Sequence, residues 1–331
     1  MSINTNEVGS VVVQHILKEI PDALSKANYV WKLLADKQSH YVSGGTNIQF
    51  PIKLIANASQ GFISGGSAAV NINQSQQLTY GALNWKFFYS NVSFSLEEFT
   101  KTQNAPEAIM DFIDAKKEMA KSDAVRALTE GIHNSSTTNA LSFDGLKDIT
   151  AASGTAYGGL LDTDYATGAY LPIIDTTTSS VSYDSIVKNL SKLRARAQQE
   201  GSPTEYTLDV GLWNASVEGA FLQAEQLKQR FYESKILETG FVGTKVNGVN
   251  FYLDNFVPGT QDGSTGDNYL YVLPSSVLKM AYKYGLKGKK SPMDGSVVIP
   301  NQPIESNKMY FAGNLICNNR RMILVFKNLV A

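Results

Sequence analysis

Between Ser43 and Trp85 the chain carries one charged side chain, Lys53, in 43 positions. The same stretch holds Gly44-Gly45, Gly61, Gly65-Gly66 and a run of Gln and Asn. Two β-like pieces frame it, residues 46–55 and residues 78–94. In the second, Trp85, Phe87, Tyr89 and Asn91 alternate with Lys86, Phe88, Ser90 and Val92, so both faces are apolar or neutral. The pattern predicts a long two-stranded excursion with a glycine-rich tip. Such a hairpin is marginal alone in water, and an uncharged edge invites aggregation unless something covers it. Neighbouring subunits would supply that cover and so argue for assembly. A hairpin lying flat on its own domain is the alternative.

Composition agrees with burial against neutral partners. The chain has 331 residues, of which 43% are hydrophobic and only 18% charged, against a usual ~25%. Ser, Thr, Asn and Gln replace the missing charge, and such a surface is covered by another subunit at little desolvation cost. The length suggests about two domains and excludes global disorder at this apolar content. The net charge of −1 gives no overall basic field of the kind that announces a nucleic-acid binder. Cys317 stands alone in an apolar run, which rules out an internal disulfide framework and reads as a buried, inert thiol. Three His without paired spacing make a His-built metal site improbable. No secretory signal and no apolar run near ~18 residues are present, so a soluble, cytoplasmically made chain with no membrane partner is expected.

Helices frame the excursion. Val8, Val12, Ile16 and Ile20 share a stripe in an N-terminal segment that Pro21 interrupts. It either docks on a neighbour or packs on its own domain. The strongest helix follows the excursion. Asn104 can cap it, Pro106 sits in its first turn, and Glu107 and Asp111 suit its positive end. Ile109, Phe112, Ile113, Ala120, Leu128 and Ile132 form its apolar stripe, with ten charges between Glu107 and Glu130 on the other side. About 27 residues make a rod of roughly 40 Å, long for a compact domain and suited to act as a spine. A turn-rich stretch, 134–181, leads to a second domain with helices from Ser182 or Asp184 to Gly201 and over 215–232. Strands are expected over 206–212, 248–254 and 268–273, a short helix from Ser275, an irregular connection over 286–308, and a closing hairpin of 309–317 with 321–326 around Asn318-Asn319.

Catalytic signatures are missing from the sequence. Gly285-Leu286-Lys287-Gly288-Lys289-Lys290-Ser291 has the wrong spacing for a phosphate-cradling loop and reads as an exposed basic turn. Gly61-Phe62-Ile63-Ser64-Gly65 is not a nucleophile elbow, and the loop from Asp262 to Asp267 lacks the ligand alternation of a calcium loop. No catalytic residue, cofactor or metal is expected.

The order of these parts resembles the HK97-fold major capsid proteins of tailed bacteriophages. The likeness rests on the arm, the glycine-tipped excursion, the long helix, the turn-rich crossover, the mixed second domain and the returning C-terminal strands. Local text fits too: Tyr41-Val42-Ser43-Gly44-Gly45-Thr46 before a strand, and Trp85-Lys86 through Phe94 running into Leu96-Glu97-Glu98-Phe99. The resemblance implies an α+β fold with an N-terminal arm (1–41), an extended E-loop with its flanking strands (42–95) and a peripheral P-domain with the spine helix (96–149). An axial A-domain (150–305) and C-terminal strands returning to the P-domain (306–331) would follow. It implies a non-enzymatic subunit of hexamers and pentamers that close into an icosahedral virion shell around double-stranded DNA, assembled in a host bacterial cytoplasm. Separate scaffolding, portal and decoration proteins are then possible partners, since the arm starts too near Met1 to include a scaffolding region. The E-loop residues Ile48, Phe50, Ile52, Lys53, Phe62 and Ile63, and the spine residues Ile109, Phe112 and Ile113, become the expected inter-subunit contacts. An encapsulin-like compartment shell is the second reading, and an enzyme or binding module with a β-lid over 43–85 the third.

Overall fold

The computed structural model describes residues 28–53, 62, 66, 78–95, 106–164, 170–176, 182–199, 206–227, 234–236, 242–259, 268–287, 289–292, 294–298 and 304–329. Side chains at 106–115 are outside that description, as are the N-terminal stripe from Val8 to Ile20 and Pro21.

The chain enters through α1 (Tyr29–Lys32), which continues as a wider π-turn to Lys37. The Asn28 carboxamide oxygen caps it, accepting from the backbone N–H of Val30 at 2.8 Å. A short strand, β1 (Ser39–Tyr41), follows. Next come β2 (Asn47–Lys53) and β3 (Leu78–Asn84), which pair antiparallel from Asn47–Asn84 to Lys53–Leu78. Alternation decides which side they bury: Ile48, Phe50 and Ile52 each expose 2% or less, while Asn47, Gln49 and Pro51 are exposed. Gly81 sits opposite Phe50, and a Cβ there would lie 2.6 Å from Phe50 Cζ, so the ring fills the space a side chain would need. The turn at Gly158, in the left-handed region with φ +62°, closes over the same spot and accepts the Ala82 N–H at 2.9 Å.

The expected second piece, 78–94, is two strands rather than one. Trp85 steps out of the pairing, and its indole N–H donates to the Gly45 carbonyl at 2.9 Å. Beyond it, β4 (Lys86–Ser95) leaves the hairpin and pairs along its whole length with β13 (Ile304–Cys317). On its other side β13 takes β11 (Leu278–Tyr284) and β12 (Gly295–Val298), and β1 adds parallel to β11, giving a five-stranded sheet. The sequence expectation of a helix from Ser275 is therefore corrected: Pro274–Val277 is a turn, and the chain goes straight into β11. The irregular stretch 286–308 likewise contains β12 and the start of β13.

The spine helix is present as α2 (Pro106–His133), 28 residues long. Its described C-terminal half buries Ala124, Leu128 and Ile132 and exposes Ser122, Asp123, Arg126 and Glu130, as its charge pattern requires. A one-turn helix, α3 (Leu146–Ile149), leads to the crossover.

The second sheet has seven strands, ordered β5 (Ile173–Asp175), β14 (Leu324–Leu329), β10 (Asn268–Leu273), β6 (Val210–Trp213), β9 (Val249–Leu253), β8 (Val242–Val246) and β7 (Ser234–Ile236). Helices α4 (Tyr183–Gln199) and α5 (Ala215–Leu227) cover one face. Ile186, Leu190 and Leu193 of α4 recur at helical spacing and are fully buried with Val217 and Phe221 of α5 against Trp213, Phe251 and Leu270. Asn214 caps α5, accepting from Val217 N–H at 2.9 Å. The other face, with Tyr271 and Val325, joins the larger core shared with the five-stranded sheet and the hairpin.

The C-terminus differs from the expected closing hairpin. β13 and β14 belong to different sheets. A 3₁₀ turn over Arg320–Met322 separates them, capped by Asn319, which accepts from Arg321 N–H at 3.2 Å. Arg320 fixes the turn. It is fully buried, donates to the Ile149 carbonyl at 2.6 Å, and lies about 5 Å from the ring centroids of both Tyr157 and Tyr170. The segment 306–331 is thus shared between the two sheets.

Candidate assembly surface

The hairpin residues named from sequence divide into two groups. Ile48, Phe50 and Ile52 pack inside the subunit against Tyr157, Gly158 and Leu83, so their side chains are not free to meet a neighbour as expected. The physical reason is the pleat: the apolar face of β2 is already satisfied by the subunit's own core. Phe62, beyond the strands, is fully exposed. Lys53 ends β2 opposite Leu78; its side chain, and Ile63, lie outside the described residues. Ile109, Phe112 and Ile113 are placed by backbone in α2, with their side chains outside the description.

A different apolar surface is open. Phe87 and Tyr89, on the outward pleat of β4, expose 71% and 68%, and Leu141 in the turn after α2 exposes 81%. They border a groove of about 350 Å³ that reaches down to Leu128 and Gly131 of α2 and to Phe143. Gly131 gives the groove its floor, because a Cβ there would come 3.2 Å from both Ser142 Oγ and Phe143 Cδ2. A second open stripe, Leu78 and Tyr80, lies on the outer face of the hairpin, with 62% and 68% exposure. Exposed apolar side chains grouped in this way are the kind of surface that another molecule covers. Sequence alone did not single these out. The alternation in Trp85–Val92 has apolar residues on both faces, so it cannot say which face the core takes.

Among the described residues that line this groove, Glu130 is the one with an acidic or basic side chain. A buried His–Asp contact lies elsewhere and is structural in form. His133, the last residue of α2, pairs with Asp254 after β9 at 2.8 Å, both nearly inaccessible. Burial opposes the Asp254 charge, yet the facing His133 and hydrogen bonds from His133, Asn28 and the Phe256 N–H hold its carboxyl below the usual range. The pair ties the spine helix, the second sheet and the start of α1 at one point. Burial also pushes the Cys317 thiol up to about 12, against a smaller opposing pull from Arg320. Among the described residues no cluster of three or more His, Cys, Asp or Glu could hold a metal ion, and no helix is long and apolar enough to cross a membrane.

No family model matches the sequence, and no curated protein matches it. Solved structures do match along nearly the whole chain. The cyanophage A-1(L) capsid asymmetric unit aligns with a TM-score of 0.62 at 14% identity, covering 90% of this chain and 92% of that one. The holo-SrpI encapsulin complex from Synechococcus elongatus PCC 7942 aligns at 0.55 and 12% identity, covering 92% and 88%. The capsid of a native GTA particle aligns at 0.54 and 12% identity, covering 90% and 96%. Aligned over about nine-tenths of its length, the chain has the HK97-like fold found in phage capsid and encapsulin shell subunits.

Proposed function

We propose that this chain is the major capsid subunit of a tailed bacteriophage, a structural and non-enzymatic protein that assembles into hexamers and pentamers and closes around double-stranded DNA. The observation that supports it is the end-to-end match to capsid subunits: about nine-tenths of this chain aligns with about nine-tenths of theirs. An open apolar groove beside the spine helix suits a subunit that needs a neighbour. Closed shells are built from contacts that repeat by symmetry and are individually modest.

In this reading residues 1–41 form the N-terminal arm and 42–95 the E-loop with its strands. Residues 96–149 with β11–β13 form the P-domain, and the seven-stranded sheet with α4, α5 and β14 forms the A-domain. Ile48, Phe50 and Ile52 anchor the base of the E-loop to its own subunit. The distal part of the loop reaches the next subunit and covers the Phe87–Tyr89–Leu141 groove beside α2, and Lys53, Phe62, Ile63, Ile109, Phe112 and Ile113 are the contact residues this reading keeps. Neutral Ser, Asn, Gln and Gly in the loop allow that cover without stranding charge. The virion is its place of work, with separate scaffolding and portal proteins as partners.

Deleting residues 58–76 tests the reading. The expected product is a folded, soluble subunit that forms no shells; shells of normal size from the deletion would contradict it. The encapsulin match supports one alternative, a bacterial compartment shell. A genomic neighbourhood of terminase and portal genes favours the capsid, and an adjacent cargo enzyme favours the compartment.

A further inference from the structure

The chain as a whole is nearly neutral, but its charge is not evenly spread. From Lys279 to Lys290 five lysines occur in twelve residues without one acidic residue. The fold gathers the last three at one place. Gly285 N–H donates to the Lys289 carbonyl at 2.7 Å and Lys289 N–H to the Leu286 carbonyl at 3.0 Å, closing a tight turn. Lys287 sits in it with φ +48°, a costly setting for a residue with a side chain. The turn folds back over the entry segment. The Lys287 ammonium donates to the Asp36 carbonyl at 3.2 Å, and the Lys289 ammonium lies 4.9 Å over the Tyr41 ring. Lys283 stands 5.3 Å over the Tyr284 ring. Tyr41 is itself 45% exposed and pairs in register with Tyr282. Lys37 adds a further exposed cation on the neighbouring segment.

Facing acids are few. Asp36 is exposed, and its contact with Lys287 is through its backbone carbonyl. The Asp294 carboxylate accepts from the backbone N–H groups of Ser291 and Tyr310 and also feels the Lys290 charge, so Lys290 is the one lysine of the turn with an acid near it. Among the described residues none of Lys37, Lys283, Lys287, Lys289 and Lys290 forms an ion pair. Like charges held together at a strained turn beside the half-exposed Tyr41 ring cost stability unless a polyanion meets them.

We propose that the turn Gly285–Lys290, with Lys37 and Tyr41, is a contact site for the phosphate backbone of duplex DNA. This rests on the reading of the chain as a shell around DNA and supplies the contact point which that reading lacks. Spaced ammonium groups without base-reading side chains fit sequence-independent, salt-sensitive binding. An acidic surface on another copy is the competing partner.

The test uses the full chain, dispersed as subunits, and a fluorescein-labelled 20-bp duplex followed by anisotropy in stepped NaCl. Lys287→Glu/Lys289→Glu/Lys290→Glu is compared with a charge-matched control, Arg126→Glu/Lys188→Glu/Lys245→Glu, on exposed sites elsewhere. Circular dichroism and thermal melting verify that both fold. The expected result is a loss of at least ~50-fold in affinity for the turn variant and a salt slope shallower by about 3, at roughly 0.9 per phosphate contact released. The control should lose a few-fold. Equal losses in both variants would overturn the site, because net charge alone would then explain binding. Absence of wild-type binding at 50 mM salt would also overturn it, and assembly failure of the turn variant would then assign the patch to a contact between copies. Shell formation is scored separately by microscopy, so loss of the DNA site and loss of the capsid reading are distinguishable.

Discussion

Truncating Phe87 to Ala separates an assembly residue from a core residue. The side chain lies on the outward pleat of β4 and exposes 71%. On a ring side chain of about 200 Å², that leaves ~140 Å² for a partner to cover. At ~25 cal/mol per Å² the complete cover stabilises a contact by ~3.5 kcal/mol. Association recovers only part of this, because ordering at an interface opposes it. We therefore expect about 2 kcal/mol per contact, close to 30-fold in the pairwise equilibrium constant. Every subunit repeats the contact, so the critical concentration for shell assembly should rise at least ~30-fold. Meanwhile the subunit's own unfolding free energy should stay within ~0.5 kcal/mol, as for other exposed positions. Light scattering against concentration reads the first quantity and urea unfolding the second. An unchanged critical concentration would refute the assignment of this groove to assembly. A large loss of subunit stability would refute the exposure on which the argument rests.

Phe50→Ala should behave in the opposite way: a buried ring leaves a cavity beside Gly81 and Tyr157, and the subunit should lose about 3–5 kcal/mol in urea unfolding, with faster hydrogen exchange at the Ala82 amide. Asp254→Asn replaces the buried carboxylate that His133 faces with a neutral amide and should cost about 1–3 kcal/mol. Because the folded carboxyl is held below its unfolded value of about 3.9, its contribution is full above that pH and is lost as pH falls through the lower folded value. The gap between wild type and variant should therefore narrow as pH falls below about 4; a gap that widens there would contradict the pairing. Cys317, fully buried with its thiol raised to about 12, should resist iodoacetamide at pH 8 in the folded subunit and react once urea unfolds it.

Local chemistry made several elements readable from the sequence. Ile48, Phe50 and Ile52 alternate cleanly and became the buried face of β2. The span of α2 followed from Pro106, its acidic first turn and its apolar stripe, and α5 began where Asn214 could cap it. What failed depended on distant partners. Lys279-Met280-Ala281-Tyr282-Lys283-Tyr284 has no strong period of its own, and its strand state comes from pairing with β13 and β1. Asn318-Asn319 is a legitimate hairpin signal, but Arg320 finds its partners in Ile149, Tyr157 and Tyr170, more than 140 residues upstream, and the chain crosses to the other sheet. The proposed assembly surface differs from the one expected from sequence. An uncharged hairpin signals cover, but Ile48, Phe50 and Ile52 are covered at home, and the open groove is formed by Phe87, Tyr89 and Leu141, whose exposure only the packing of β4 beside α2 decides.

If the chain is a shell subunit, it must assemble. Negative-stain microscopy of the purified chain, with light scattering on the same sample and repeated with its scaffolding protein supplied, tests it most directly. Closed particles tens of nanometres across, or rings of five and six subunits, are expected. A uniform monomer or dimer that persists with the scaffolding protein present would contradict it.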